Sequence, residues 1–158
     1  MIKLVRTDSQ NSDFITLVEN LDLYLKIVDG DDHEFYNQYN GIESLKNVVI
    51  AYNGSLPVAC GAFKKYTAGV AEIKRMFVMP SQRGAGVGSI LLNELESWSR
   101  ELLYTTCILE TGKKQIEAIA LYKKHNYNLI ANYGQYATAT KSLCFEKKSQ
   151  LNNYTLEV

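Results

Sequence analysis

The glycine-rich segment at residues 83–88 has the residue types and spacing that could do chemistry most directly. It reads Arg-Gly-Ala-Gly-Val-Gly and leads into an amphipathic stretch. Unpaired backbone N–H groups at a helix start form an anion site, and glycines let a phosphate approach the backbone closely. Arg83 would add a charge-assisted donor. The residues of this predicted phosphate loop are Arg83, Gly84, Ala85, Gly86, Val87, Gly88 and Ser89.

Two common phosphate motifs do not fit this segment. A dinucleotide fingerprint requires G-x-G-x-x-G, and here Ser89 stands where its last glycine should be. A P-loop requires a lysine after its last glycine, and no lysine follows Gly88. The alternative is a glycine-rich turn that binds nothing, but the flanking arginine and the patterns on both sides favour a ligand.

The hydrophobic pattern predicts the elements that position this loop. Residues 70–79 predict a long strand before it, and apolar residues at spacings of three and four over 87–102 predict a helix after it. Residues 104–110 then predict a strand and 116–124 a helix. The remaining predictions are a strand at 2–6, a helix at 11–28, a loop or broken helix at 29–41, a hairpin of 48–52 with 56–66 around Asn53-Gly54, and strands at 128–131 and 142–147. This order predicts a mixed sheet with helices on its faces.

Composition narrows the class of protein. The 158 residues fit one domain, which we place at 1–148, with a short polar tail at 149–158. Seventeen basic residues balance seventeen acidic ones, so no general positive field favours nucleic acid, and no stretch is long and apolar enough for a membrane span. The three cysteines, Cys60, Cys107 and Cys144, fit neither a disulfide framework nor a metal site. We expect reduced, buried thiols in a cytoplasmic protein.

The arrangement Arg83-x-x-Gly86-x-Gly88, which follows Met76-Phe77-Val78, resembles the hallmark of the GNAT (Gcn5-related N-acetyltransferase) superfamily. The resemblance implies an α/β (α+β) fold with a mostly antiparallel sheet of about six or seven strands, splayed in the middle and flanked by about four helices. It also implies that the loop binds the pyrophosphate of acetyl-CoA.

Residues 115–127 resemble a second motif of the family, N-x-x-A-x-x-L-Y-x-x-x-G-F. Gln115 replaces the usual asparagine, whose polar contact lies near CoA. Asn126 replaces the usual glycine, and asparagine also tolerates the left-handed conformation of a helix C-cap.

The resemblance assigns roles in acetyl transfer. Backbone N–H groups of Met76, Phe77 and Val78 would polarise the thioester carbonyl, provided that the strand there separates from its neighbour. Tyr122 would protonate the leaving thiolate. The alternative for Tyr122 is a helix aromatic that packs in the core.

Two carboxylates are candidates for the base. A strand period of two places Glu72, Lys74, Met76 and Val78 on one face, and some family members carry a glutamate at the place of Glu72. Glu110 at the end of the next strand is the second candidate, as base or as a group that positions the amine. Either carboxylate could instead be solvated on the surface, or form an ion pair with Lys74 or Arg75.

Acidic and aromatic residues at 29–39 suit a cationic amine, and Asp32 and Tyr36 are the acceptor-site candidates there. A solvated loop is the alternative, and His33 lies in the same segment. Tyr133, in the loop 132–136, is a candidate in a lid over the acceptor.

These observations predict an acetyl-CoA-dependent N-acetyltransferase that moves an acetyl group to a primary amine of a small molecule or protein by direct attack in a ternary complex. A non-catalytic CoA-binding or regulatory module of the same fold is the alternative. A longer acyl chain and an oxygen acceptor also stay open. An edge strand near the C-terminus could pair two copies into a homodimer.

Overall fold

The computed structural model describes residues 1–37 and 41–149. Its seven strands form one sheet in the order β1-β2-β3-β4-β5-β7-β6. The strands are β1 (Ile2–Thr7), β2 (Asn47–Asn53), β3 (Leu56–Thr67), β4 (Val70–Val78), β5 (Thr106–Gly112), β6 (Asn128–Ile130) and β7 (Ser142–Lys148). The helices are α1 (Ser12–Asp29), the short α2 (His33–Asn37), α3 (Val87–Glu101) and α4 (Ile116–Lys124). All strand pairs are antiparallel except β4 with β5. The predicted mixed, mostly antiparallel fold is confirmed, whereas the tail from residue 150 lies outside the described residues.

Local chemistry explains why the first elements form where the sequence predicts them. Gly54 takes a φ of +62° in the turn between β2 and β3, a conformation that glycine adopts without steric cost. Asn11 caps α1, because its side-chain oxygen accepts hydrogen bonds from the backbone N–H groups of Asp13 and Phe14 at 2.9 and 3.1 Å. The turn and the N-cap fix where β2, β3 and α1 begin and end.

The two faces of the sheet carry separate cores. On one face, α1 packs through Phe14 and Leu17 against strand residues that include Phe77. On the other, α3 packs through Leu91 and Leu95. The three cysteines are free and buried, as predicted, and burial raises the pKa of Cys60 to about 12 and that of Cys144 to about 11.

A buried polar network fixes α3 against the far strands. The hydroxyl of Tyr127 donates to Glu96 Oε2 at 2.8 Å, and Lys147 Nζ lies 2.8 Å from Glu96 Oε1. Glu96 is only 5% exposed, so its charge is kept in the interior by these two partners. The network holds in place the helix that begins at the glycine-rich loop.

A β-bulge interrupts β4 in the middle of the sheet. Cys60 pairs with Phe77 and Ala62 with Lys74, so Gly61 faces two residues of β4 instead of one. Arg75 is the extra residue, with a φ of +57°.

The bulge corrects one expectation from the sequence. Ala71 and Ile73 belong to the α3-side core, and beyond the bulge Met76 and Val78 pack against the same core. Glu72, which alternates with Ala71 and Ile73, therefore points to the α1 side. The prediction that Glu72 and Lys74 share a face with Met76 and Val78 was wrong, because a period of two was counted across an extra residue.

Strands β4 and β5 separate after three residue pairs. Val70, Ala71 and Glu72 pair with Thr106, Cys107 and Ile108, and the rest of β4 has no partner on this side. Strand β5 instead continues against β7 as far as Gly112. The predicted splay is confirmed, and it leaves the backbone of β4 from Ile73 onward open toward the gap.

Gly61→Ala tests the tight packing opposite the bulge. An added Cβ would come within 2.6 Å of Met76 Sδ and 2.7 Å of Leu95 Cδ1, so we expect a loss of about 1–3 kcal/mol in unfolding free energy from overpacking. Urea unfolding followed by the fluorescence of Trp98 measures it. Ser55→Ala, in the exposed β2–β3 turn, is the control that should change little, and an unchanged midpoint for Gly61→Ala would contradict the tight packing.

Candidate active site

The separation of β4 and β5 opens a cleft of about 560 Å³, which is also lined by α1, the start of α3, and α4. Its lining contains most of the predicted site residues: Glu72, Met76, Phe77, Val78, Arg83, Gly84, Gly86, Val87, Gly88, Ser89, Glu110, Gln115, Tyr122 and Tyr36. Ala85, Asp32 and Tyr133 are predicted site residues outside this lining. One continuous cavity therefore joins the glycine-rich loop to the predicted catalytic groups.

The glycines at one end of the cleft leave the space that an anion needs. Gly84 and Gly86 have φ values of +84° and +82°, and an added Cβ at either position would meet no atom within 4 Å. Gly86 caps α3, which begins at Val87 with its backbone N–H groups at the cleft. At Gly88 a Cβ would lie 3.3 Å from Leu121 Cδ2, so that glycine serves the packing of α3 on α4.

Arg83 braces this loop against the end of β4. Its Nε donates to the carbonyl oxygen of Val78 at 2.9 Å, and its guanidinium lies 5.1 Å from the ring centroid of Tyr24. A weaker ion pair joins Nη1 to Glu117 at 3.5 Å. The arginine thus places a positive charge beside the two open glycines.

Glu72 and Lys74 form an organised pair at the other end of the cleft. Tyr133 donates to Glu72 Oε2 at 2.7 Å, and Lys74 Nζ lies 3.5 Å from Glu72 Oε1. Lys74 also lies over the ring of Tyr136, 6.0 Å from its centroid. Both oxygens of Glu72 are therefore engaged, and Tyr133 reaches the site through Glu72.

Glu110 lies across the gap from this pair. Leu109 belongs to the α3-side core, so Glu110 points to the α1 side, as Glu72 does. Burial raises the pKa of Glu110 to about 7; the charge of Lys74 opposes the rise, and those of Asp29 and Glu72 add to it. A carboxyl group with this pKa can release and accept a proton near neutral pH.

Tyr122 lies on α4 and is 6% exposed. Its ring packs against Tyr127 and Phe145, with centroids 5.8 and 6.4 Å away. Burial raises its pKa, and the charge of Glu110 adds to the rise. The phenol therefore stays protonated at neutral pH and can act as a hydrogen-bond donor.

The two candidates in the acidic segment lie in different places. Tyr36 lines the cleft, and its hydroxyl is 2.9 Å from Ser142 Oγ. Asp32 pairs with Lys141 at 2.7 Å and lines a smaller adjoining cavity of about 130 Å³. Tyr39 and the side chains of His33 and Phe35 lie outside the described part of the structure.

Sequence reasoning missed Tyr24 as a site residue and treated Lys74 only as an ion-pair partner. Tyr24 reaches the loop because α1 packs across β4, which no local pattern reveals. Lys74 did carry a signal, since it is a charged residue next to apolar Ile73 in the predicted strand 70–79.

Across 1–37 and 41–149, no group of three or more His, Cys, Asp or Glu side chains is arranged to hold a metal ion. Among the helices in those ranges, none combines the length and the apolar composition that a membrane crossing requires.

Comparisons with known proteins agree with this geometry. The model of the acetyltransferase (GNAT) family matches residues 15–127. The IAA acetyltransferase of Azospirillum brasilense is 30% identical over 148 residues, which cover 92% of this chain and 97% of the relative. A solved Klebsiella pneumoniae structure, provisionally assigned as an acyl-CoA N-acyltransferase, is 27% identical with a TM-score of 0.79, covering 94% of this chain and 97% of its own. The PaiA N-acetyltransferase of Thermoplasma acidophilum, solved with coenzyme A, is 17% identical with a TM-score of 0.70, over 94% and 99% of the two chains, and shows the likeness of the fold.

Gly86→Ala tests the anion site. For wild type we expect acetyl-CoA at 100 times its Kd to add about 2.7 kcal/mol to the free energy of unfolding. In Gly86→Ala the methyl group enters the open space at the loop, so we expect the variant to lose that gain. Thermal unfolding with and without acetyl-CoA measures the loss.

Gly54→Ala is the matched control for that test. Gly54 also has a positive φ with no atom within 4 Å of an added Cβ, but it lies in the β2–β3 turn. Each alanine costs about 1–2 kcal/mol of strain, and only Gly86→Ala should lose the ligand response. Equal responses in the two variants would contradict the site.

Proposed function

The chain belongs to the acetyltransferase (GNAT) family, and we propose that it transfers an acetyl group from acetyl-CoA to a primary amine by direct attack in a ternary complex. Membership of the family makes it an acyltransferase. The observation that carries the finer proposal is the single cleft that runs from the phosphate loop, through the gap between β4 and β5, to the carboxylates on the α1 side.

The loop end of the cleft suits the donor. Gly84 and Gly86 offer open backbone to a diphosphate, and Arg83 supplies a neighbouring positive charge. Gln115, just before α4, would present its amide to the same ligand.

Acetyl-CoA supplies a thioester, whose carbonyl is open to attack by an amine. Along a strand the N–H groups alternate in direction, and that of Met79 donates to the carbonyl oxygen of Val58 in β3, so the N–H of Phe77 also faces β3. The backbone N–H groups of Met76 and Val78, which face the gap, would then polarise the thioester carbonyl.

At the α1-side end, we assign the base to Glu110 in preference to Glu72. Both oxygens of Glu72 are held, by Tyr133 and Lys74, so neither is free to take a proton from an acceptor. The pKa of Glu110 is raised to about 7, which suits a group that takes a proton from an ammonium acceptor. Glu72 then positions Lys74, and the carboxylates together favour a cationic amine.

Tyr122 would stabilise the thiolate as it leaves. The raised pKa of the phenol makes complete proton transfer to a thiolate unfavourable, because a thiol is the stronger acid. A hydrogen bond to the developing negative charge requires no such transfer.

Glu110→Gln tests the base. A base must be deprotonated, so wild-type kcat/KM should fall as the pH drops below about 7. The variant should lose about 100-fold in kcat/KM and should also lose this pH dependence. Glu72→Gln is the comparison and should keep the fall of kcat/KM at low pH. If Glu110→Gln also keeps that fall, another group is the base.

An amine-panel assay for free CoA thiol tests the activity itself. We expect turnover of at least one primary amine, and a decrease of about 10–100-fold in kcat for Tyr122→Phe with unchanged acetyl-CoA affinity. Acetyl-CoA affinity is read from thermal unfolding. Binding of acetyl-CoA with no turnover of any amine would support a non-catalytic module instead.

A further inference from the structure

Lys74 places an amine of the protein itself at the acceptor end of the cleft. We propose that Lys74 is a self-acetylation site: the chain transfers an acetyl group from acetyl-CoA to the Nζ of Lys74 when no free amine occupies the cleft. This inference rests on the proposed acetyl-CoA donor and adds a modification site within the chain.

The position of Lys74 is the first argument. It lies on β4 two residues before Met76, in the part of the strand that has separated from β5. Its side chain lines the cleft and is only 10% exposed. A free acceptor amine would have to enter this same space to reach a carbonyl held at Met76.

The surroundings of Lys74 are the second argument. Its Nζ is held 3.5 Å from Glu72 Oε1 and lies over the ring of Tyr136, so its position is defined. Burial lowers the pKa of Lys74, with the charge of Glu72 opposing the change and that of Lys64 adding to it. The fraction of neutral, nucleophilic amine is therefore larger for Lys74 than for an exposed lysine.

The chemistry balances without a further reactant. The lone pair of neutral Nζ forms a bond to the thioester carbonyl carbon, and the C–S bond breaks to release the CoA thiolate. The extra proton on Nζ passes to the Glu110 carboxylate and from there to the thiolate or to solvent. The products are an acetamide on Lys74 and free CoA.

Acetylation would change the acceptor end of the cleft. The amide carries no charge, so the ion pair with Glu72 is lost. The added acetyl group also fills space that an acceptor needs. Acetylated chains should therefore turn over external amines more slowly, so the modification would lower the activity of the protein.

Mass spectrometry of the full chain incubated with acetyl-CoA alone tests the proposal. We expect one acetyl group per chain, placed on Lys74 by peptide mapping, at a level about tenfold above Lys65 because the bound donor is held close to Lys74. Lys65 is an exposed lysine on the neighbouring strand β3. The rate should saturate with acetyl-CoA and be independent of protein concentration, as an intramolecular reaction requires.

Three variants separate this reaction from chemical acetylation. Lys74→Arg should take up no acetyl group at this position, whereas Lys65→Arg should be acetylated at Lys74 as wild type is. Gly86→Ala, which should not hold acetyl-CoA, should lose the labelling of Lys74 and keep any slow labelling of exposed lysines.

Each remaining outcome overturns the inference in a distinguishable way. Acetyl groups spread over exposed lysines but absent from Lys74 would reject it. If acetyl-CoA stabilises the protein against heat but Lys74 stays unlabelled, self-acetylation is rejected and the proposed function stands. Absence of any thermal stabilisation by acetyl-CoA would reject both proposals together.

Discussion

The site depends on hydrogen bonds that β4 and β5 do not make. A parallel pair normally continues along both strands, yet here it stops after Glu72 and Ile108. On its other side each strand stays paired, β4 with β3 and β5 with β7, so both strands remain in the sheet while the backbone groups that face the gap stay open. The result is a gap through the middle of a sheet that is otherwise continuous.

The elements around the gap are fixed by contacts remote from it. Glu96 joins α3 to Tyr127 and Lys147, so the helix whose start carries the open glycines cannot drift from the sheet. On the opposite face, the Arg75 guanidinium pairs with Asp22 of α1 and ties that helix to the bulge. Both walls of the cleft are thus anchored by buried charges, which are costly to leave unpaired.

Sequence patterns predicted the features that depend on local chemistry. The hairpin at Asn53-Gly54, the helix Ile116–Lys124 and the glycine loop each follow from residues a few positions apart, and the structure confirms them. The bulge at Arg75 was missed because it depends on what Gly61 of another strand allows. The partnership of Tyr133 with Glu72 joins residues far apart in the chain, so no local pattern could reveal it.

The buried cysteines have a consequence for an acyltransferase that uses CoA. Every turnover liberates a small thiol, and thiols exchange with accessible cysteines through mixed disulfides once an oxidant is present. Cys60, Cys107 and Cys144 are all buried, and burial raises the pKa of each, so the reactive thiolate is scarce. The fold thereby protects the protein from forming mixed disulfides with the CoA that it releases.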